Sequence, residues 1–446
     1  MNMGILGKAL AMLEKHCLCD HCLGRQFALL GRGIENDERG RAMKLVMALE
    51  AHELASSEKP EGVRVLKTLA TNGFHKSSRE MLRRMKKRLR KEESPKTCFL
   101  CENRFEGLDD LAEGALKQLG EYEYSTFLVG VELPLQIEER EDEFRAYFKV
   151  GSGENMRNEF GRELGKRIGQ FSGKEAEYKK PDIVVLVNPF ASDVRLQINP
   201  LFIAGRYRKL VRDIPQSKWF CSDCRGKGCE KCGSTGKMYA QSVEEIVGKP
   251  FLDATGAEEA SFHASGREDI DVRMLGKGRP FVIEMARPRK RFVDLGKLEK
   301  LVNTSARGNV EVSNLRFVNR DTVRKLKRAE STQKEYRMVM EMKGKITLRD
   351  CRLLEEKLKN AVVRQRTPIR VLHRRADLMR EKYIYDVKVK RLAPKKAEMR
   401  IRCQGGLYIK ELVTGDEGRT EPNVSQILGN GAKPIKLDVL EVIIED

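Results

Sequence analysis

The chain has 446 residues, enough at the usual ~100–200 residues per domain for about three domains, which excludes a single small module. Lys and Arg number 86 against 66 Asp and Glu, a formal charge of +20, while 40% of the residues are hydrophobic; the excess charge therefore belongs on folded surfaces, and polyanions, nucleic acid first, are the expected partners. The longest clean apolar run, Ile183 to Val187, is far short of the ~18 residues of a membrane-spanning helix, and no cleavage signal follows the interrupted apolar stretch at the N-terminus, so the chain reads as intracellular and cytoplasmic.

From Met1 to about Glu121 the pattern is mainly helical, with apolar residues spaced by three and four over Ile34–Leu54 and Arg79–Lys91. In the second of these, Met81, Leu82, Met85 and Leu89 form an inner side, and eight of thirteen residues are basic, a face suited to phosphates or simply to solvent. From Tyr122 to Lys218, predicted strands at Thr126–Leu133, Phe144–Val150 and Asp182–Val187 alternate with a helix over Glu154–Phe171, an α/β unit. Within it, Asn199–Pro215 mixes Arg206, Arg208, Lys209 and Arg212 with Tyr207, the interleaving of charge and ring that unpaired RNA requires. Residues 219–238 form a Cys- and Gly-rich linker. Beyond it, residues 239–446 carry predicted strands at Pro280–Met285, Asn309–Val318, Glu335–Met342, Val362–Leu372, Tyr383–Val389, Glu398–Cys403 and Ile435–Ile444. Helices at Asp294–Val302, Asp321–Ala329 and Thr347–Ala361 interrupt them, which indicates an α+β domain on a largely antiparallel sheet.

Eleven cysteines in an intracellular chain point away from disulfides and towards metal or catalysis. Eight form Cys-x-x-Cys pairs, a spacing that turns two sulfurs toward one tetrahedral ion. Cys221, Cys224, Cys229 and Cys232 stand together in CSDCRGKGCEKCGSTGK, whose glycines give the chain freedom to wrap a metal, and predict one zinc site that hinges the two halves. Cys19 and Cys22 with Cys98 and Cys101 predict a second, stapling the N-terminal region; two separate turns of reduced thiols are the alternative. His16 and His21 flank the first pair as substitute ligands, and Cys17, Cys351 and Cys403 read as ordinary buried residues. Four thiolates leave no open coordination position, so zinc here is structural.

Nucleotide-cofactor motifs fail: Gly151-Ser152-Gly153 has Met156 where a third glycine belongs, and Gly233–Lys237 has the wrong glycine spacing for a phosphate loop. The segment ASGREDIDVRMLGKGRPFVIEMARPRKR, Ala264–Arg291, reads as a loop running into a strand, with Asp269 and Asp271 on one face. Carboxylates among Arg267, Arg273, Arg279 and Arg287 stay ionised, which favours nucleophilic or base chemistry; a salt-bridged loop has the same composition.

That segment resembles the active-site loop of pseudouridine synthases, with Asp269 in the nucleophile's place. Together with NPLFIAGRYRKLVRDIP, the paired Cys-x-x-Cys knuckles and GLYIKELVTGDEGRTEPNVSQILG, it is similar to the archaeal and eukaryotic tRNA pseudouridine synthase "ten" family over nearly the whole chain. The resemblance implies a helical, Cys-rich region (1–121), a THUMP-like RNA-binding unit (122–218), the zinc knuckle (219–238) and a catalytic domain (239–446). It implies isomerisation of tRNA T-loop uridines, at position 55 and also 54, with structural zinc, no organic cofactor and no obligate protein partner, the enzyme acting as a monomer. Tyr336 falls at the family's base-stacking aromatic, Ile409 and Lys410 at its hydrophobic-plus-basic pair, Tyr408 beside them as a substrate contact, and Asp271 stands as an alternative nucleophile. Rival readings are a non-catalytic zinc- and THUMP-containing tRNA-binding protein or chaperone, and a nuclease holding magnesium on Glu268, Asp269, Asp271 and Glu284.

Overall fold

The computed structural model describes residues 4–87, 89, 97–328 and 332–443. The chain divides into two compact units, Met1–Asn199 and Pro200–Asp446.

The first unit opens with helices Ile5–Lys15, Asn36–Ser56, Pro60–Thr71 and Lys76–Arg84. The long one buries Met43, Met47, Ala48, Ala51 and Ala55 along one stripe, as the three-and-four spacing predicts. The basic helix is shorter than its pattern: it ends at Arg84, Arg83 and Arg84 turn outward to Glu80, and Arg88, Arg90 and Lys91 lie outside the described residues. After helix Leu108–Leu119, strands β1 (Thr126–Val131), β2 (Glu175–Ala176), β3 (Ile183–Asn188) and β4 (Asp193–Ile198) form a sheet in the order β2-β1-β3-β4, parallel except for β3–β4. The expected strand Phe144–Val150 is instead the end of a helix, Leu135–Tyr147. Ile137, Glu141 and Phe144 recur at helical spacing and are the buried positions; the charges between them masked that period in the sequence.

The second unit holds β5 (Leu201–Lys209), β6 (Glu259–Ala264), β7 (Arg273–Ala286), β8 (Val310–Val318), β9 (Gln333–Met342), β10 (Val362–Arg366), β11 (Met379–Ala393), β12 (Lys396–Gln404), β13 (Thr420–Glu421) and β14 (Ala432–Ile443). They make one sheet in the order β13-β10-β11-β12-β9-β14-β7-β5-β8, with β6 on β7, and only β7–β14 is parallel. The mainly antiparallel expectation holds. Two local readings do not. The run Val362–Leu372 stops being a strand at Arg366, because Pro368 has no N–H for the ladder, and Ile369–Arg374 turns into a short 3-10 helix. Asn199–Pro215, expected as an RNA-facing segment of the THUMP-like unit, supplies β5, which is sandwiched between β7 and β8 with Tyr207 and Lys209 fully buried. Among the described residues, no helix is long and apolar enough to cross a membrane.

Strand register fixes a charge cluster as well as the core. Asp438 on β14 stands opposite Arg273 on β7 and Arg337 on β9, and its carboxylate accepts from Arg273 Nε at 2.9 Å, Arg337 Nη2 at 2.8 Å and Arg212 Nη2 at 2.7 Å. Burial alone would raise its pKa, but the hydrogen bonds from Arg273 and Arg337 and the charge of Arg212 outweigh it and hold the group at about 2. A depressed carboxyl pKa stabilises the fold above the ordinary value near 3.8 and loses that contribution as pH falls through about 2. Asp438→Asn is therefore expected to remove roughly 2 kcal/mol at neutral pH and to flatten the dependence of stability on pH between about 4 and 2. Urea unfolding at several pH values measures both; an unchanged profile would show that the cluster is already compensated elsewhere.

Candidate active site

Residues 265–272 connect β6 to β7 without belonging to either, so their backbone groups need partners from elsewhere. The sequence placed Asp269 and Asp271 on a strand; they sit instead in a turn closed by Val272 N–H on Asp269 O at 3.0 Å, and β7 begins only at Arg273. Lys209 Nζ donates to the carbonyls of Ile214, Asp269 and Ile270 at 2.8, 3.2 and 3.0 Å. Burial pulls its pKa down to about 8 despite the charge of Glu268. Arg212 Nη1 reaches Asp271 O, and Gln216 Nε2 reaches Gly266 O. Beneath the loop, Glu268 and Arg279 form an ion pair (Nε–Oε2 2.9 Å) with side chains 0% and 2% exposed. Tyr207 donates its hydroxyl to Glu268 and accepts from Gln216 at 2.6 Å; burial first, and then Glu268's charge, raises the phenol's pKa far above its usual range. Gly266 has φ +80°, and a Cβ there would stand 2.9 Å from Lys334 Nζ and 3.2 Å from Arg279 Nη1. Of the side chains read as RNA contacts, Tyr207, Lys209 and Arg212 thus hold the aspartate loop in place, while Arg206 bonds backbone carbonyls of Lys277, Gly278 and Val442 and Arg208 pairs with Glu311.

Above this floor lies a cavity of about 600 Å³. Asp269, Tyr336, Tyr408, Ile409 and Lys410 all line it; its Lys and Arg side chains number nine, Lys410 included, against the two carboxylates Glu268 and Asp269. Tyr336 arrives by strand periodicity: it continues on β9 the face that buries Met338, Met340 and Met342, and registers with Ile401 and Val439. Burial keeps its phenol neutral well into the alkaline range. Lys410 and Ile409 begin the helix Ile409–Thr414, with Tyr408 as its N-cap. Lys410 Nζ is 3.4 Å from Asp269 Oδ2 but closer to Asp271, at 2.8 and 2.9 Å; burial alone would raise the Asp271 pKa, and Lys410 lowers it. The nearest cation to Asp269 is Arg370, at 3.0 Å from Oδ2, itself held by the buried Glu411 at 2.6 Å. Sequence reading missed Arg370 because it sits in the run taken for a strand. It also missed Arg375, whose Nη1 donates to the Tyr408 hydroxyl at 2.7 Å, and Lys334, which burial and then Arg279's charge bring down to about 8.

The four carboxylates of the nuclease reading do not converge on one ion. Glu268 is spent on Arg279 and Tyr207, Glu284 bonds His263 Nε2 at 3.0 Å, and Asp269 and Asp271 face cations.

The eight paired cysteines do gather, in two sets of four, each with sulfurs within 4.8 Å of one another. Sulfurs bound ~2.3 Å from one tetrahedral ion stand about 3.8 Å apart. The Cys19–Cys101 separation is 3.6 Å, and Cys221–Cys229, Cys224–Cys232 and Cys229–Cys232 lie at 3.8, 3.8 and 3.7 Å, so both sets fit a metal ion. Backbone N–H groups of Cys229 and Gly236 point at Cys232 Sγ and, against burial, bring its thiol down to about 6. His21 stacks on Phe105 and bonds Glu159, and His16 packs on Phe99, so neither histidine substitutes as a ligand. The second set lies inside the Pro200–Asp446 unit.

The family model for the C-terminal region of Pus10 matches residues 202–443, and that for the archaeal Pus10 THUMP domain matches residues 111–188. A tRNA pseudouridine synthase Pus10 of Methanocaldococcus jannaschii is 45% identical over 99% of this chain and 95% of its own length. Those of Methanothrix thermoacetophila and Pyrococcus furiosus are each 40% identical over 98% of this chain and 94% and 98% of their own lengths.

The buried pair under the loop makes an asymmetric demand. Arg279→Met, which strands Glu268 in an apolar floor, is expected to destabilise the protein by about 3–5 kcal/mol, whereas Glu268→Leu combined with Arg279→Met should recover most of that loss. Chemical denaturation of the two variants decides it: equal destabilisation would mean that packing, not the uncompensated charge, sets the cost.

Proposed function

The chain belongs to the Pus10 family, and on that premise we propose that it is a tRNA pseudouridine synthase acting on the T-loop uridines, position 55 and also 54, with Asp269 as nucleophile. The observation that carries the reading is the convergence of Asp269, Tyr336, Ile409 and Lys410 on one strongly cationic cavity. Basic surfaces gather the polyanion, and a uridine leaves its stack to enter the cavity, where the Tyr336 ring holds the base by its face and Ile409 packs beside it. Asp269, paired with Arg370 and Lys410, assists cleavage of the N1–C1′ bond, either by attacking C1′ or by removing the C2′ proton to leave a glycal. The freed uracil turns and C5 bonds to C1′ as the C1′–O bond to Asp269 breaks or, on the glycal route, as Asp269 returns the proton to C2′; the C5 proton is lost and N1 is protonated. Atoms and electrons balance within the nucleotide, so the isomerisation draws on no redox partner and no ATP. Tyr408, oriented by Arg375, contacts the substrate at the cavity mouth. Both Cys sets hold structural zinc, which saturates its four positions with thiolate and fixes the chain around it. The enzyme is read as a cytoplasmic monomer.

Asp269→Asn is expected to abolish pseudouridine formation in unmodified tRNA, scored by carbodiimide labelling and primer extension, while tRNA affinity stays within a few fold. Turnover by this variant together with its loss in Asp271→Asn would move the nucleophile to Asp271.

Metal content gives a separate check. Elemental analysis should find zinc near two per chain, lowered in both Cys224→Ser and Cys19→Ser, with T-loop modification reduced more by the first. Full occupancy in either variant would remove that set from the metal sites.

A further inference from the structure

Trp219, the single tryptophan of the 446 residues, has no part in the reading above. It lines a second hollow of about 380 Å³ with Ile270 and Asp271, and this hollow shares Arg267, Glu268, Asp269, Arg370, Arg375 and Lys410 with the Asp269 cavity. The two spaces are therefore neighbours along one wall of four cations and two carboxylates, an aromatic ring in each: Tyr336 in the first, Trp219 in the second. The guanidinium of Arg267 lies over the Trp219 ring, 5.1 Å from its centre, and Tyr239 meets the indole edge-on at 5.7 Å.

The Cys ribbon sets the position of this indole. Trp219 O accepts from Met238 N at 3.0 Å, Phe220 bridges Lys237, and Cys221 N donates to Gly236 O at 2.8 Å, so the two chain segments entering the metal loop run side by side from Trp219 onward. At Gly236 (φ +70°) a Cβ would lie 2.4 Å from Gly226 O, so the ribbon closes this tightly only around glycine. A zinc loop that no reacting group enters thus ends on an aromatic residue at the rim of the site.

Extruding one base from a stack also unstacks its neighbour, and an aromatic ring can replace the lost surface whatever the neighbour's identity, because every base has a π-face. We propose that the Trp219 hollow is a second nucleotide subsite: it holds the unpaired base adjacent to the uridine in the Asp269 cavity, by stacking on Trp219, while Arg267 and Arg375 face the phosphate between the two nucleotides. The subsite rests on the proposed function for its substrate class, unpaired RNA, and extends it to a residue outside the chemistry.

The tryptophan is its own reporter. Full-length, metal-loaded Asp269→Asn protein is titrated with an RNA hairpin whose loop carries the target uridine, and with the same hairpin made abasic at each flanking loop position in turn. Indole emission should change with the intact hairpin, and one abasic hairpin should lose the change and bind roughly 5- to 150-fold more weakly, the range of one base–aromatic stack. In the otherwise wild-type enzyme, Trp219→Ala should raise KM by a similar factor with little effect on kcat, and Trp219→Phe should restore most of it. Equal quenching and affinity for all three hairpins, or an unchanged KM in a folded, metal-replete Trp219→Ala enzyme, overturns the subsite. Should the alanine variant fail to fold, the abasic series and Trp219→Phe decide alone. An indole that answers the flanking base, found together with a wild-type protein that makes no pseudouridine, would support the subsite and refute the catalytic reading instead.

Discussion

The loop that carries Asp269 belongs to neither flanking strand, so its backbone has to be held by side chains, and this requirement organises the centre of the second unit. The carbonyls of Ser265, Gly266, Asp269, Ile270 and Asp271 are met by Arg279, Gln216, Lys209 and Arg212. Every one of these donors is polar or charged, and the innermost are out of water, which is tolerable only because Glu268 neutralises Arg279 and Tyr207 fills the carboxylate's remaining acceptor sites. A buried ion pair contributes little net stability relative to an apolar pair of the same shape. Its effect here is geometric: it allows one arrangement of the loop, and that arrangement delivers Asp269 to Arg370 and Lys410.

The same accounting separates the positive charge into two populations. Lys209, Arg212, Arg273, Arg279 and Arg337 are consumed internally, on carbonyls or on Glu268 and Asp438. Asp438 links the populations, since the Arg212 that bonds it also bonds the carbonyls of Leu437 and Asp271. A strand-register contact on β14 therefore reaches the aspartate loop through one guanidinium. The cavity-facing cations, Lys327, Arg375, Arg380 and Lys382 among them, remain as the surface presented to a polyanion.

What was legible in the sequence follows from this division. The knuckle cysteines were readable because metal geometry imposes a local spacing, and β9 because Met338, Met340 and Met342 alternate; Tyr336 shares their parity, so its face was implied once the strand was. Arg206–Arg212 misled because composition records that a residue is basic and not which way it points. In β5 the strand alternation, with Tyr207 and Lys209 inward, was hidden under three charges. Arg370 was invisible for a different reason: its partner Asp269 is distant in sequence, and the proline two residues before it ended a strand that hydrophobicity alone would have extended. Long-range pairing of charges has no period, and only the fold reveals it.

The two thiolate sets make different demands on their surroundings. Four thiolates around a divalent ion carry a net charge of −2, which a buried site must offset. Around Cys19, Cys22, Cys98 and Cys101 the offset is Arg25, fully buried, with Nη1 3.6 Å from Cys22 Sγ and its other end on Glu141. That set brings together segments far apart in sequence, so a metal bound there would close a long loop and act on the stability of the first unit. The Cys221–Cys232 set is nearer solvent, has backbone N–H groups for charge relief, and closes a short loop that adds little by chain entropy. A metal bound there would matter through what the ribbon holds in place, and what stands at the ribbon's base is the indole of Trp219.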